Sequence, residues 1–75
     1  MAAEAKRVIA LDIGGTKIAS ALVTLRAGEE PLIEHYGKVP TEAKLGGQRV
    51  LGNAIESARR VAEAAVGGLD GIGVS

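Results

Sequence analysis

Two apolar runs, Val8-Ile9-Ala10-Leu11 and Ile18-Ala19-Ser20-Ala21-Leu22-Val23, flank Asp12-Ile13-Gly14-Gly15-Thr16-Lys17. No other stretch limits the fold as strongly. Runs of this kind joined by a glycine pair read as a β-hairpin, because glycine reaches the positive φ angles that tight hairpin turns use. The first run is almost continuously apolar, the mark of a central strand covered on both faces. Strands are therefore expected over residues 7–13 and 17–25.

Gly28 and Pro31 punctuate the next turn. A third strand follows over residues 32–39, where Glu34, His35 and Lys38 alternate with apolar neighbours, as suits an edge strand with one wet face. After a polar connection over residues 41–47, residues 48–66 show helical periodicity. Leu51, Ala54, Ile55, Ala58, Val61, Ala62 and Ala65 recur three and four apart and define the face expected to dock on the sheet. Arg49, Glu56, Arg59, Arg60 and Glu63 lie outside that stripe. Glu56 with Arg60, and Arg59 with Glu63, are i,i+4 pairs worth about 0.2–0.5 kcal/mol each. Gly67 is placed to end the helix.

Residues 71–75 form a short glycine-interrupted strand. Gly71-x-Gly73 does not open a helix, so it is not read as a dinucleotide fingerprint. The order strand, strand, strand, helix, strand describes an α/β unit: an antiparallel meander, then a helical crossover that lets the last strand run parallel to one already in the sheet. Residues 1–6 are read as a flexible tail and 7–75 as one domain.

The turn after the first strand carries the chemistry. Two glycines leave backbone N–H groups unshielded, and a hydroxyl and an ammonium follow at Thr16 and Lys17, a set of groups able to hold an anion such as phosphate. Asp12 would repel that anion unless a cation lay between them, so an acid here points to Mg²⁺ with a nucleotide. The same residues also read as an ordinary turn that binds nothing. The spacing is not that of a Walker A loop.

Composition removes other classes. Nine basic and nine acidic residues leave no net charge and no footprint for nucleic acid or an anionic membrane. There is no cysteine, His35 is the single histidine and Tyr36 the single aromatic residue. Thiolate or histidine metal clusters and base-stacking platforms are thereby excluded within these residues. His35, on an edge strand, is read as an exposed bystander. No apolar run is long enough for a membrane helix or a signal-peptide core, so a soluble cytoplasmic protein is expected.

Val8-Ile9-Ala10-Leu11-Asp12-Ile13-Gly14-Gly15-Thr16-Lys17-Ile18-Ala19 closely resembles the N-terminal phosphate motif of the ROK family (repressor, open reading frame, kinase), which contains bacterial sugar kinases, glucokinases among them, and NagC-like sugar-responsive regulators. Gly71-Ile72-Gly73-Val74-Ser75 looks like the family's next strand, and the resemblance covers residues 7–75. It implies part of a ribonuclease-H-like domain of the actin and hexokinase superfamily, in which two such domains clasp ATP. By that resemblance Asp12 positions Mg²⁺ through water, Gly14 and Gly15 let backbone N–H groups approach the ATP phosphates, Thr16 adds a hydroxyl bond and Lys17 positive charge.

The family's catalytic aspartate, its sugar-binding elements and its Cys/His zinc cluster have no counterpart in these 75 residues. The resemblance thus implies an N-terminal fragment with no catalytic residue of its own, inactive in isolation. The leading expectation is the phosphate-binding segment of an ATP-dependent kinase acting on a hexose or amino-hexose. A ROK transcriptional regulator is the alternative, and the six residues before the first strand leave no room for its helix-turn-helix. A small α/β domain without ligand is the third reading.

Alternation along the first strand sends Ile9, Leu11 and Ile13 to one face and Val8 and Ala10 to the other, and the second strand repeats this with Ile18 and Leu22 opposed to Ala19, Ala21 and Val23, so both faces of the pair are apolar. One helix covers one face only. The uncovered face and the free edge of the last strand lead to the expectation of a homo-oligomer.

Overall fold

A computed structural model describes residues 5–75. The elements are β1 (Lys6–Ile13), β2 (Lys17–Leu25), β3 (Leu32–Pro40), a 3₁₀ turn at Ala43–Leu45, α1 (Gly47–Ala64) and β4 (Gly71–Val74). They form one four-stranded sheet in the order β3-β2-β1-β4. β1 to β3 are an antiparallel meander, and β4 returns parallel to β1. The chain is thus an α/β unit with the expected element order. The expected tail overlaps β1, since Lys6 pairs with Leu25. Met1–Glu4 lie outside the described residues.

The register explains the layering. Ile9 pairs with Leu22, Leu11 with Ser20 and Ile13 with Ile18, so these side chains share the face beneath α1. Ile9, Ile18, Leu22 and Val61 are completely buried there. Burying each such side chain contributes roughly 1.5–3 kcal/mol. Ala58 and Ala65 pack against the cluster of Ile9, Leu11, Leu22 and Val61.

α1 buries part of the face expected of it: Ala54 and Val61 are buried, and Ala58 and Ala65 pack on the core. Its buried residues are Ala54, Ser57 and Val61, whereas Leu51 and Ile55 are 60% and 49% exposed and Ala62 is exposed. Polar anchors on both flanks set this rotation. Arg60 donates to Ser20 Oγ at 2.9 Å and to the His35 carbonyl at 2.8 Å, while Asn53 grips the chain at residues 40–42. Ser57 enters the interface at no polar cost because its hydroxyl donates to the Asn53 carbonyl at 2.9 Å. With Arg60 turned to the sheet, the observed helix pair is Arg59–Glu56 at 3.6 Å and not either expected i,i+4 pair. The helix also ends earlier than expected, at Ala64. Gly67 and Gly68 follow at φ +97°, where a Cβ would be strained.

α1 lies over β1, β2 and β3, and among the described residues it does not contact β4. Ile72 and Val74, on the helix side of the sheet beside Ile9 and Leu11, are therefore 60% and 61% exposed. Among the described residues no layer covers the opposite face. β3 carries a bulge opposite Ala21, where the register shifts between Ser20 and Leu22 and His35 adopts φ 55°.

Candidate functional site: the glycine turn between β1 and β2

In an open α/β sheet, ligands bind beyond the carboxyl ends of parallel strands, where the chain leaves neighbouring strands in opposite directions. This sheet has one such place. β1 and β4 are parallel neighbours; the chain leaves β1 toward β2 and β3, and β4 is reached by the crossover on the other side. The Gly14–Lys17 turn and Asp12 sit at that end, beside Ser75. The Ile13 amide donates to the Ser75 carbonyl and the Ser75 amide to the Leu11 carbonyl, both at 2.9 Å.

The turn closes with the Gly14 amide donating to the Lys17 carbonyl at 2.9 Å. Neither Gly14 nor Gly15 is in the left-handed region, which corrects the expectation that the hairpin needs positive φ there. The two glycines differ in what demands them. A Cβ on Gly14 would lie 3.0 Å from the Lys17 carbonyl oxygen, so the fold itself disfavours one. A Cβ on Gly15 would meet nothing within 4 Å. The fold makes no demand for glycine at residue 15, and its backbone is open to an approaching group.

Asp12, Gly14, Gly15, Thr16 and Lys17 are all exposed and contiguous at this end of the sheet. Asp12 pairs with Ala19, and alternation along β2 puts Lys17 on the same open face. Among the described residues neither Asp12 nor Lys17 has a salt bridge or a side-chain hydrogen bond. Both charges are free to meet a ligand. No group of three metal-ligating side chains occurs among the described residues, so a Mg²⁺ ion beside Asp12 would take most of its oxygens from water and phosphate. His35 is at the β3 bulge, away from the turn, and its carbonyl serves Arg60.

Sequence reasoning missed Thr41. It is 3% exposed, its hydroxyl donates to the Gly14 carbonyl at 2.8 Å, and its amide donates to the Thr16 carbonyl at 2.9 Å. Nothing in a lone threonine after a strand announces such a contact. Glu42, next in the chain, has φ 59° and accepts from Asn53 Nδ2 at 2.9 Å and from Arg49 at 3.4 Å. The Asn53 hydrogen bond, helped by Arg49 and opposed by partial desolvation, holds its carboxyl below the ordinary value.

On the open face a shallow hollow of about 290 Å³ runs from Asp12 and Ser75 over Ala10, Ala19 and Ala21 to Val23, Ile33 and Tyr36. The Lys38 ammonium lies 5.9 Å from the Tyr36 ring centre, at a distance suited to a cation–π contact. A second hollow of about 310 Å³, between α1 and β3, is lined by Asn53, Ser57 and Arg60, whose polar groups are already engaged within the fold.

Fold and turn together define a small mixed α/β unit with an open glycine turn and free acidic and basic side chains at the carboxyl end of its parallel strands. Comparison with protein-family models, with curated proteins and with solved structures finds no match. Among the described residues no helix is long and apolar enough to cross a membrane.

Proposed function

We propose that this chain carries the phosphate-binding turn of a cytoplasmic, ATP-dependent sugar kinase of the ROK type, built on a ribonuclease-H-like sheet. One observation carries the reading: the Gly15 backbone is open to a ligand without the fold requiring glycine there, and Asp12 and Lys17 stand unpaired beside it. The resemblance of residues 8–19 to the family's motif and the β3-β2-β1-β4 order support it.

The donor set fits a metal–nucleotide better than a bare anion. Backbone N–H groups at Gly14 and Gly15, the Thr16 hydroxyl and the Lys17 ammonium suit phosphate oxygens. Asp12 suits the cation that such an anion brings. Mg·ATP supplies the phosphoryl group to be transferred and the charge that screens it, and phosphoryl transfer depends mostly on positioning and electrostatic stabilisation. Within this chain the work is binding and orientation. The acceptor is a hydroxyl of a hexose or amino-hexose, and the sugar contacts and general base belong to residues outside these 75.

Amide NMR of the chain with Mg·ATP tests the reading. Shifts centred on residues 12–17 and Ser75, lost when EDTA removes the metal and lost in Asp12→Asn, are expected. Shifts indifferent to metal and to Asp12, or no shifts at all, contradict it.

A further inference from the structure

A turn as short as Gly14–Lys17 has little to hold it in place. Its own closing bond ties Gly14 to Lys17, and the bonds that reach it from outside β1 and β2 come from Thr41. The Thr41 hydroxyl holds the Gly14 carbonyl and the Thr41 amide holds the Thr16 carbonyl, so one buried residue grips the turn on each side of Gly15. Thr41 is held in its turn. Asn53 Nδ2, from the middle of α1, reaches the Thr41 carbonyl at 3.1 Å, the Pro40 carbonyl at 3.2 Å and Glu42 Oε1 at 2.9 Å. A line of hydrogen bonds thus runs from the helix through Asn53 and Thr41 to the backbone around Gly15.

We propose that Thr41, seated by Asn53, is the positioning residue of the phosphate turn and presets the Gly15 amide for a phosphate oxygen. The proposal rests on the reading of the turn as a phosphate site. Donors fixed before the anion arrives need no ordering when it binds, which is where preorganised sites gain over flexible ones. Both bonds accept on carbonyls, leaving the amide of Gly15 free to donate outward. The amide bond continues the β2–β3 ladder past Lys17 and Pro40, and the hydroxyl bond to Gly14 is the one that strand pairing does not require.

Thr41→Val removes the hydroxyl at nearly constant volume, and Thr41→Ser restores it. Asn53→Ala, at a half-buried helix position, loosens the same line from its far end and guards against a Thr41→Val chain that does not fold. Two readouts are made on each: the ¹⁵N order parameter of Gly15, and affinity for Mg·ATP by NMR titration. The wild-type chain should show Gly15 in the rigid range near ~0.85, and Thr41→Val should move it toward the flexible range below ~0.6. Affinity should fall about tenfold in Thr41→Val, less in Asn53→Ala, and stay near wild type in Thr41→Ser. Unchanged Gly15 order in both Thr41→Val and Asn53→Ala overturns the proposal, whatever binds. Loosening of Gly15 in the variants, together with a wild-type chain that never responds to Mg·ATP, overturns the phosphate reading, and the ligand role of Thr41 with it.

Discussion

Arg7 and Asp70 hold each other twice: the Arg7 amide donates to Asp70 Oδ2, and the Asp70 amide donates to the Arg7 carbonyl, both at 2.7 Å. The Arg7 guanidinium also donates to the Val66 and Gly68 carbonyls, closing the loop that leads from α1 to β4. The start of β1 is thereby tied to the start of its parallel neighbour, which sets the register that brings Ser75 beside Asp12. Asp70→Ala should cost about 1 kcal/mol, the low side for a charge-assisted bond because the pair is exposed. Urea denaturation measures the loss. Unaltered stability, with Ile72 and Val74 amides as protected as before, contradicts this role.

Arg60 and Gly37 make a second pair. A Cβ on Gly37 would come within 2.8 Å of Arg60 Nη2, so Gly37→Ala must push the guanidinium off Ser20 and His35. Arg60→Ala loses the same bonds directly. Each change should cost about 1 kcal/mol, and the double variant clearly less than the sum, because the second change removes nothing further. Strict additivity in a denaturation cycle rules out the coupling.

Alternation in residues 8–13 and 18–23 made β1 and β2 legible in the sequence, and the element order followed from the turn residues and the helical period. The helix face was legible in part. Of the expected stripe, Ala54, Ala58, Val61 and Ala65 face the sheet, whereas Leu51, Ile55 and Ala62 along one edge do not and Ser57 takes a place in the interface, and hydrophobicity alone does not choose between the two edges. The choice is made by long polar side chains, Arg60 and Asn53, whose partners lie 11 to 40 positions away in the chain. The β3 bulge and the Thr41 contacts are hidden for the same reason: both depend on pairings between segments distant in sequence. The five candidate residues all fall within positions 12–17, so proposing them needed only the turn.

Glu42 gives the fold a pH dependence. A carboxylate held below its ordinary value of 4.5, here chiefly by Asn53, stabilises the fold above that value and loses its contribution as pH falls through the folded-state value. Thermal midpoints of wild type and Glu42→Gln should differ at neutral pH, with wild type higher, and converge on acidification below about 4.5. A gap that persists unchanged into acid contradicts the assignment.

The open sheet face and the β4 edge predict self-association of the 75-residue chain. Ile33 and Tyr36 on that face, and Ile72 and Val74 on the uncharged edge strand, are each at least 60% exposed, while the core holds few large side chains. Exposed apolar area of this kind is seldom left open in a soluble monomer. Light scattering after size exclusion, at tens of micromolar, should report a dimer or larger species, and Ile72→Lys with Val74→Glu should reduce it. A monodisperse wild-type monomer contradicts the expectation.

The central claim is tested most directly by comparing Gly15→Ala with Gly14→Ala. A methyl on Gly14 must displace the Lys17 carbonyl, and should lower stability by about 1 kcal/mol. A methyl on Gly15 meets nothing, so stability should stay within about 0.5 kcal/mol of wild type. If the turn receives the phosphates of Mg·ATP, that same harmless methyl occupies the space they need, and calorimetric titration should show binding reduced at least about tenfold. A Gly15→Ala chain of wild-type stability that binds Mg·ATP as well as wild type would contradict the phosphate site.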